Sequence, residues 1–131
     1  MPARAVLTFR GHIGAGKTTF IRTLLRALGI TGPIKSPTFS LVESYVYGDK
    51  LFHHFDLYRI QDETELEYIG FRDYFVEQSV CCIEWPERLP DNFVNSDLDF
   101  SLNLKDGQRT MIITALSAVG KKMMSCCMSK R

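Results

Sequence analysis

The chain has 131 residues, 45% of them hydrophobic and 24% charged, and a formal net charge of +1. That composition suits one globular domain with a core of its own. It excludes a global basic field able to hold nucleic acid unaided, and no apolar run reaches membrane-spanning length.

Met1-Pro2-Ala3-Arg4 carries no secretory signal pattern, so a cytoplasmic location is expected, without a membrane. Ala5–Phe9 is a short β-prone run. It leads into Gly11-His12-Ile13-Gly14-Ala15-Gly16-Lys17-Thr18, which fits the phosphate-cradling P-loop pattern G-x-x-x-x-G-K-[ST] in full. The glycines let backbone N–H groups turn inward around phosphate oxygens without a Cβ in the way. Lys17 supplies a point charge for the β- and γ-phosphates, and Thr18 a hydroxyl for Mg²⁺. Thr19 opens a helical stretch in which Phe20, Leu24 and Leu28 recur at helical spacing, closed by Gly29. Its positive N-terminal end belongs to the same anion site.

Residues 30–38 read as a loop punctuated by Gly32, Pro33 and Pro37. Phe39–Tyr47 and Leu51–Phe55 read as strands around the turn Gly48-Asp49-Lys50, hence antiparallel neighbours. Asp62 has the look of a helix cap, with Glu65 at capping-box spacing. The helix is expected to reach Tyr68 and to restart after Gly70. Val80-Cys81-Cys82-Ile83 is an apolar strand of the buried kind, and its two cysteines are expected to be reduced core residues. Pro86 and Pro90 then break the chain. Leu98–Leu104 and Arg109–Leu116 bracket Asp106-Gly107, a hairpin signal. From Gly120 on no period is legible. The expected organisation is a single small P-loop domain over 1–119 and a flexible basic tail over 120–131. The fold class is α/β: a P-loop NTPase-like sheet of mixed parallel and antiparallel strands flanked by helices.

A P-loop enzyme needs a carboxylate near Mg²⁺, usually at the end of a buried strand. Glu84 follows Val80–Ile83 and Asp56 follows Leu51–Phe55, so both are candidates, against the alternative of surface acids at strand ends. Thr38, in Ser36-Pro37-Thr38-Phe39, lies where P-loop GTPases put the switch threonine that completes the metal shell; alone it is a proline turn.

Several phrases together resemble the TsaE (formerly YjeE) family of small P-loop ATPases from bacterial tRNA threonylcarbamoyladenosine synthesis. They run in order: Gly14 to Thr19; Ser36-Pro37-Thr38-Phe39-Ser40-Leu41-Val42; His54-Phe55-Asp56-Leu57-Tyr58-Arg59; Glu65-Leu66-Glu67 with Ile69-Gly70; Asp73-Tyr74-Phe75; and Ile83-Glu84-Trp85-Pro86-Glu87-Arg88. The similarity covers about residues 5–114. The resemblance implies that Lys17 and the loop from Gly11 to Thr19 hold ATP and that Thr18 and Glu84 are the Mg²⁺ ligands. It implies that Thr38 is the switch threonine, that Asp56 is the essential acid orienting the attacking water, and that Trp85 lies beside the nucleotide. Its implied partners are the proteins TsaB and TsaD, with tRNA touched at most indirectly. The transfer chemistry belongs to TsaD, and ATP hydrolysis resets the complex between cycles, slowly when the ATPase is alone.

Two features depart from the family pattern. Members usually carry a further helix and strand ahead of the P-loop strand, so an edge element and any adenine contacts made from it are expected to be missing or supplied otherwise. His12 stands where the family more often has an acid, at a free position of the P-loop. Three other classes compete with the ATPase. A small-molecule P-loop kinase would need an acceptor pocket and a lid, usually with arginines, and the chain has no arginine cluster beyond the P-loop helix and no obvious lid insertion. A GTPase would need N-K-x-D, and Asn103-Leu104-Lys105-Asp106 misplaces its lysine. The third is a nucleotide-binding module without hydrolysis. No motif reads a base explicitly, so ATP over other nucleotides comes from the resemblance.

Overall fold

The computed structural model of the chain describes residues 4–11, 16–34, 41–89 and 94–129, the side chains of 126–129 excepted. Strand β1 is Arg4–Arg10, helix α1 Lys17–Ala27, β2 Val42–Tyr47, β3 Lys50–Asp56 and α2 Glu63–Tyr68. A 3-10 turn covers Phe71–Tyr74, β4 is Ser79–Glu84, and a second 3-10 turn covers Pro86–Arg88. The chain then forms β5 Leu98–Lys105, β6 Gln108–Ala115 and α3 Ala118–Ser129.

The strands form one six-stranded sheet in the order β2-β3-β4-β1-β5-β6. The two sequence-adjacent pairs, β2 with β3 and β5 with β6, are antiparallel hairpins, and the four inner strands run parallel. This is the mixed sheet expected from the residues. Local chemistry sets both hairpins. Asp106 and Gly107 sit at φ 53° and 77°, the paired left-handed conformation of a tight two-residue turn whose twist matches its strands. Every residue of β4 is buried, as a central strand covered on both faces requires.

Side-chain alternation divides the core into two. Leu7, Phe9, Phe52, Cys82 and Phe100 face α1, which answers with Ile21 and Leu25. Phe9 stacks on Phe100 at 4.7 Å between ring centroids. On the opposite face Val6, Phe55, Cys81 and Ile83 meet Leu66 of α2 and Phe71. Fully burying a side chain such as Phe9 or Phe55 is worth about 1.5–3 kcal/mol, so these faces hold the helices down. The Cys81 thiol is pushed up to about 12 by burial, and burial raises Cys82 further. Both stay protonated and unreactive at neutral pH.

Helix α2 begins as its residues indicate. Asp62 Oδ1 accepts from the Thr64 N–H at 2.8 Å, and Glu65 Oε2 accepts from the Gln61 N–H at 2.7 Å, one residue ahead of the cap. The tail differs from expectation: α3 forms where no period is legible. Ser117 caps it by accepting from the Gly120 N–H at 3.0 Å, while its own hydroxyl donates to Asp97 Oδ1 at 2.6 Å. A Cβ at position 120 would lie 1.9 Å from the Asp97 carbonyl oxygen, so only glycine permits this approach. Met123 and Met124, one turn on, pack against the α1-side core. The inward stripe thus starts with a glycine, which no apolar pattern registers. No helix among the described residues is long and apolar enough to cross a membrane.

Candidate functional site

Lys17 and Thr18 open α1 directly above the C-terminal ends of β1, β4 and β3. The parallel register sets Asp56 of β3 opposite Glu84 of β4, and Phe9 of β1 opposite Glu84 on the other side. Because facing residues of a parallel pair point to the same side, the two acids share the face that carries α1. The two strand-end carboxylates picked out in the sequence are therefore neighbours.

Thr18 binds the first of them. Its hydroxyl lies 3.1 Å from Oε1 and 3.0 Å from Oε2 of Glu84. Glu84 is also held from below by His54, whose Nε2 lies 2.6 Å from Oε2, with both side chains nearly fully buried. A ring N–H donating here fixes the direction of the carboxylate. His54 Nδ1 is buried and has no hydrogen-bond partner. His54 is the residue whose role sequence reasoning missed. Its signal was present, two positions before Asp56 on the same face of β3.

Lys17 is 5% exposed although it is a lysine at a helix start. Its ammonium donates to the Gly11 carbonyl and lies 3.5 Å from the Trp85 ring centroid. Burial lowers its pKa, while the charges of Glu84, Glu87 and Asp56 oppose that shift and favour the cation. The cation is therefore held within a carboxylate field and a π-face. Trp85 reaches it because its backbone is left-handed at φ 62°, uncommon for so bulky a residue, just before Pro86. Tyr58 packs against the indole with ring centroids 4.9 Å apart. Asp56 accepts from the Tyr58 N–H at 3.1 Å, and burial raises its pKa, assisted by the nearby Glu84 charge.

Gly11 and Gly16 frame the P-loop with φ of 151° and 97°. Thr19 is exposed beside them. His12, Ile13, Gly14, Ala15 and the candidate switch residue Thr38 lie outside the described residues. The structure thus brings together Gly11, Gly16, Lys17, Thr18, Thr19, Asp56, Glu84 and Trp85. A half-buried hydroxyl bonded to a buried carboxylate, beside a helix N-terminus and a lysine, can hold a polyanion with a hard cation. Among the described residues no three His, Cys, Asp or Glu side chains cluster as a self-sufficient metal cage.

Comparison with known proteins gives a consistent answer. The family model described as threonylcarbamoyl adenosine biosynthesis protein TsaE matches residues 1–111. The tRNA threonylcarbamoyladenosine biosynthesis protein TsaE of Haemophilus influenzae is 40% identical over 123 residues, which is 93% of this chain and 78% of that protein. The protein of the same name from Bacillus subtilis is 37% identical over 112 residues, 85% of this chain and 70% of the relative. Among solved structures, the crystal structure of Bacillus subtilis YdiB superposes with a TM-score of 0.72 at 26% identity, covering 95% of this chain and 77% of that one.

Proposed function

The chain belongs to the TsaE family and so to tRNA threonylcarbamoyladenosine biosynthesis, and on that premise we propose that it is the Mg²⁺-dependent ATPase of that pathway, acting in the cytoplasm on a complex of TsaB and TsaD. The observation that carries the ATPase reading is the Thr18–Glu84 pair, 3.0–3.1 Å apart at the start of α1, with Lys17 beside it.

The residues divide the work by chemistry. The α1 N-terminus and the Lys17 ammonium bind the phosphate chain and offset its charge. Thr18 and Glu84 would hold Mg²⁺, which when bound neutralises charge on the β- and γ-oxygens. His54 keeps Glu84 turned toward Thr18. Asp56, beside Glu84, accepts a hydrogen bond from the attacking water and orients it. Thr38 is proposed as the group that senses the γ-phosphate, and Trp85 walls the site behind Lys17. Partner dependence follows from the absence of an evident arginine finger in the sequence: TsaB and TsaD complete a site that is slow alone.

The test is steady-state ATP hydrolysis by the full chain, alone and with purified TsaB and TsaD. Slow turnover alone, acceleration by the pair, and abolition in a folded Lys17→Ala variant are expected. Near-normal turnover by folded Lys17→Ala overturns the ATPase reading. Full-speed turnover without partners overturns the partner dependence.

A further inference from the structure

Trp85 meets Lys17 in a costly conformation. Its backbone is left-handed at φ 62°, and a bulky residue keeps that conformation only where its surroundings over-determine it. Two main-chain bonds fix where the residue stands. The Trp85 N–H donates to the Phe9 carbonyl at 3.4 Å, and the Arg88 N–H donates to the Trp85 carbonyl at 3.0 Å. Neither bond fixes the indole, which turns about its own side-chain torsions. A neighbour of the ring has to hold it over Lys17.

Tyr58 is that neighbour. The bonding between β3 and β4 runs one residue past the strand ends, because the Leu57 N–H donates to the Glu84 carbonyl at 3.1 Å. Tyr58, next in the chain, is thereby brought beside Trp85, and the two rings pack with centroids 4.9 Å apart and planes tilted by 49°. The 3-10 turn after Trp85 returns the guanidinium carbon of Arg88 to 5.6 Å from the Tyr58 ring centroid. A cation, two rings and a second cation thus follow one another from buried Lys17 to exposed Arg88. Core packing does not account for the Tyr58 ring, which is 41% exposed and belongs to neither core cluster. The main chain of the same residue has a second tie, its N–H donating to Asp56 Oδ1 at 3.1 Å.

We propose that Tyr58 is a positioning residue of the phosphate site: its ring seats the Trp85 indole over the Lys17 ammonium, and its N–H holds the Asp56 carboxylate. The role rests on the ATPase reading above. The two ties are separable, since a side-chain substitution removes the ring and keeps the N–H. Without the ring the indole is free to turn away, and Lys17 loses the π-face that holds its ammonium in place. Phosphate binding then weakens, while Asp56 stays held.

Trp85 is the chain's only tryptophan, so its fluorescence reports the seat directly. In the full chain without nucleotide, acrylamide should quench Trp85 more strongly in Tyr58→Ala than in the wild type. Tyr58→Phe keeps the ring and should quench as the wild type does. At saturating Mg²⁺, Tyr58→Ala should raise the KM for ATP about fivefold, the size of one cation–π contact, and change kcat less. Tyr58→Phe should retain the wild-type KM. A merely structural role would lower the urea midpoint and the active fraction, hence kcat, and leave KM unchanged. Unchanged KM in Tyr58→Ala overturns the proposal, and so does unchanged quenching. An equal rise of KM in Tyr58→Phe also overturns it, since the ring is then not the cause. No turnover by the wild type overturns the ATPase reading instead, and the quenching comparison then decides the indole seat by itself.

Discussion

Glu84 is the residue on which the site turns, because three different elements converge on it: Thr18 from α1, His54 from β3, and its own strand β4. Asp56 lies beside it, and among the described residues its carboxylate accepts from the Tyr58 N–H at its own strand end. The two acids should therefore fail differently. Glu84→Gln is expected to raise the Mg²⁺ concentration needed for half-maximal turnover, since a hard cation loses an anionic ligand. Asp56→Asn should retain nucleotide binding and lose turnover; Mg²⁺ titrations of both variants check the order. Thr38 lies outside the described residues, and its expected effect comes from its place in the chain. Thr38→Ala should leave ADP affinity nearly unchanged and reduce hydrolysis, measured by ADP binding and ATP turnover side by side. A further titration belongs to stability. His53 packs edge-on against Tyr74, with ring centroids 4.8 Å apart, its Nδ1 lies 2.7 Å from the Ser44 hydroxyl, and burial lowers its pKa below the ordinary 6.5. Folding favours the neutral ring, so this stabilisation is complete above the unfolded value and is lost as pH falls through it toward the folded value. The urea midpoint should drop between about pH 7.5 and about pH 5.5, and drop less in His53→Gln.

At the scale of elements, α3 shows how a helix can dock without an apolar stripe. Asp97 organises the joint: its Oδ2 accepts from the Val6 N–H at 2.8 Å, its Oδ1 accepts from Ser117 at 2.6 Å, and its carbonyl accepts from the Leu116 N–H at 2.9 Å. One acid therefore ties β1, the end of β6 and the cap of α3. Gly120→Ala puts a methyl group into the Asp97 carbonyl and must push the helix off the sheet. A loss of roughly 1–3 kcal/mol is expected, read as a lowered urea midpoint with unchanged slope. ATP turnover by the folded fraction should persist, because α3 lies apart from Lys17 and Glu84. Strand β6 makes the opposite case. Seven of its eight residues are exposed, yet it places Arg109 against Gly16. A strand that buries little still positions a side chain when its hairpin turn is set.

For the whole molecule, one continuous sheet carries both core clusters, and neither helical layer has a core of its own. Unfolding should accordingly be a single cooperative transition. Trp85 fluorescence and far-ultraviolet circular dichroism should give coincident urea curves. Separate midpoints would mean that the β5–β6–α3 side melts apart from the rest. The order β2-β3-β4-β1-β5-β6 also separates the site into two flanks, with the Glu84 and Asp56 carboxylates on the β4 side of β1 and Arg109 on the β5 side.

The amino-acid sequence by itself determined the elements whose signals are local. The P-loop glycines, the Asp106-Gly107 turn, the Asp62 cap and the unbroken apolar run of β4 each act within a few residues, so the α/β class and both strand-end acids were legible from them. The ordered phrases around Asp56 and Trp85 carried the family. Only the tertiary structure decided what depends on partners distant in the chain. It turned His54 onto Glu84, laid Trp85 over Lys17 and set Arg109 against Gly16. It also made a helix of 118–129, because the close approach of Gly120 to Asp97 is a contact between surfaces, and a glycine carries no hydrophobic signal of the face it buries. Local chemistry selects each element, and packing geometry selects which side chains meet.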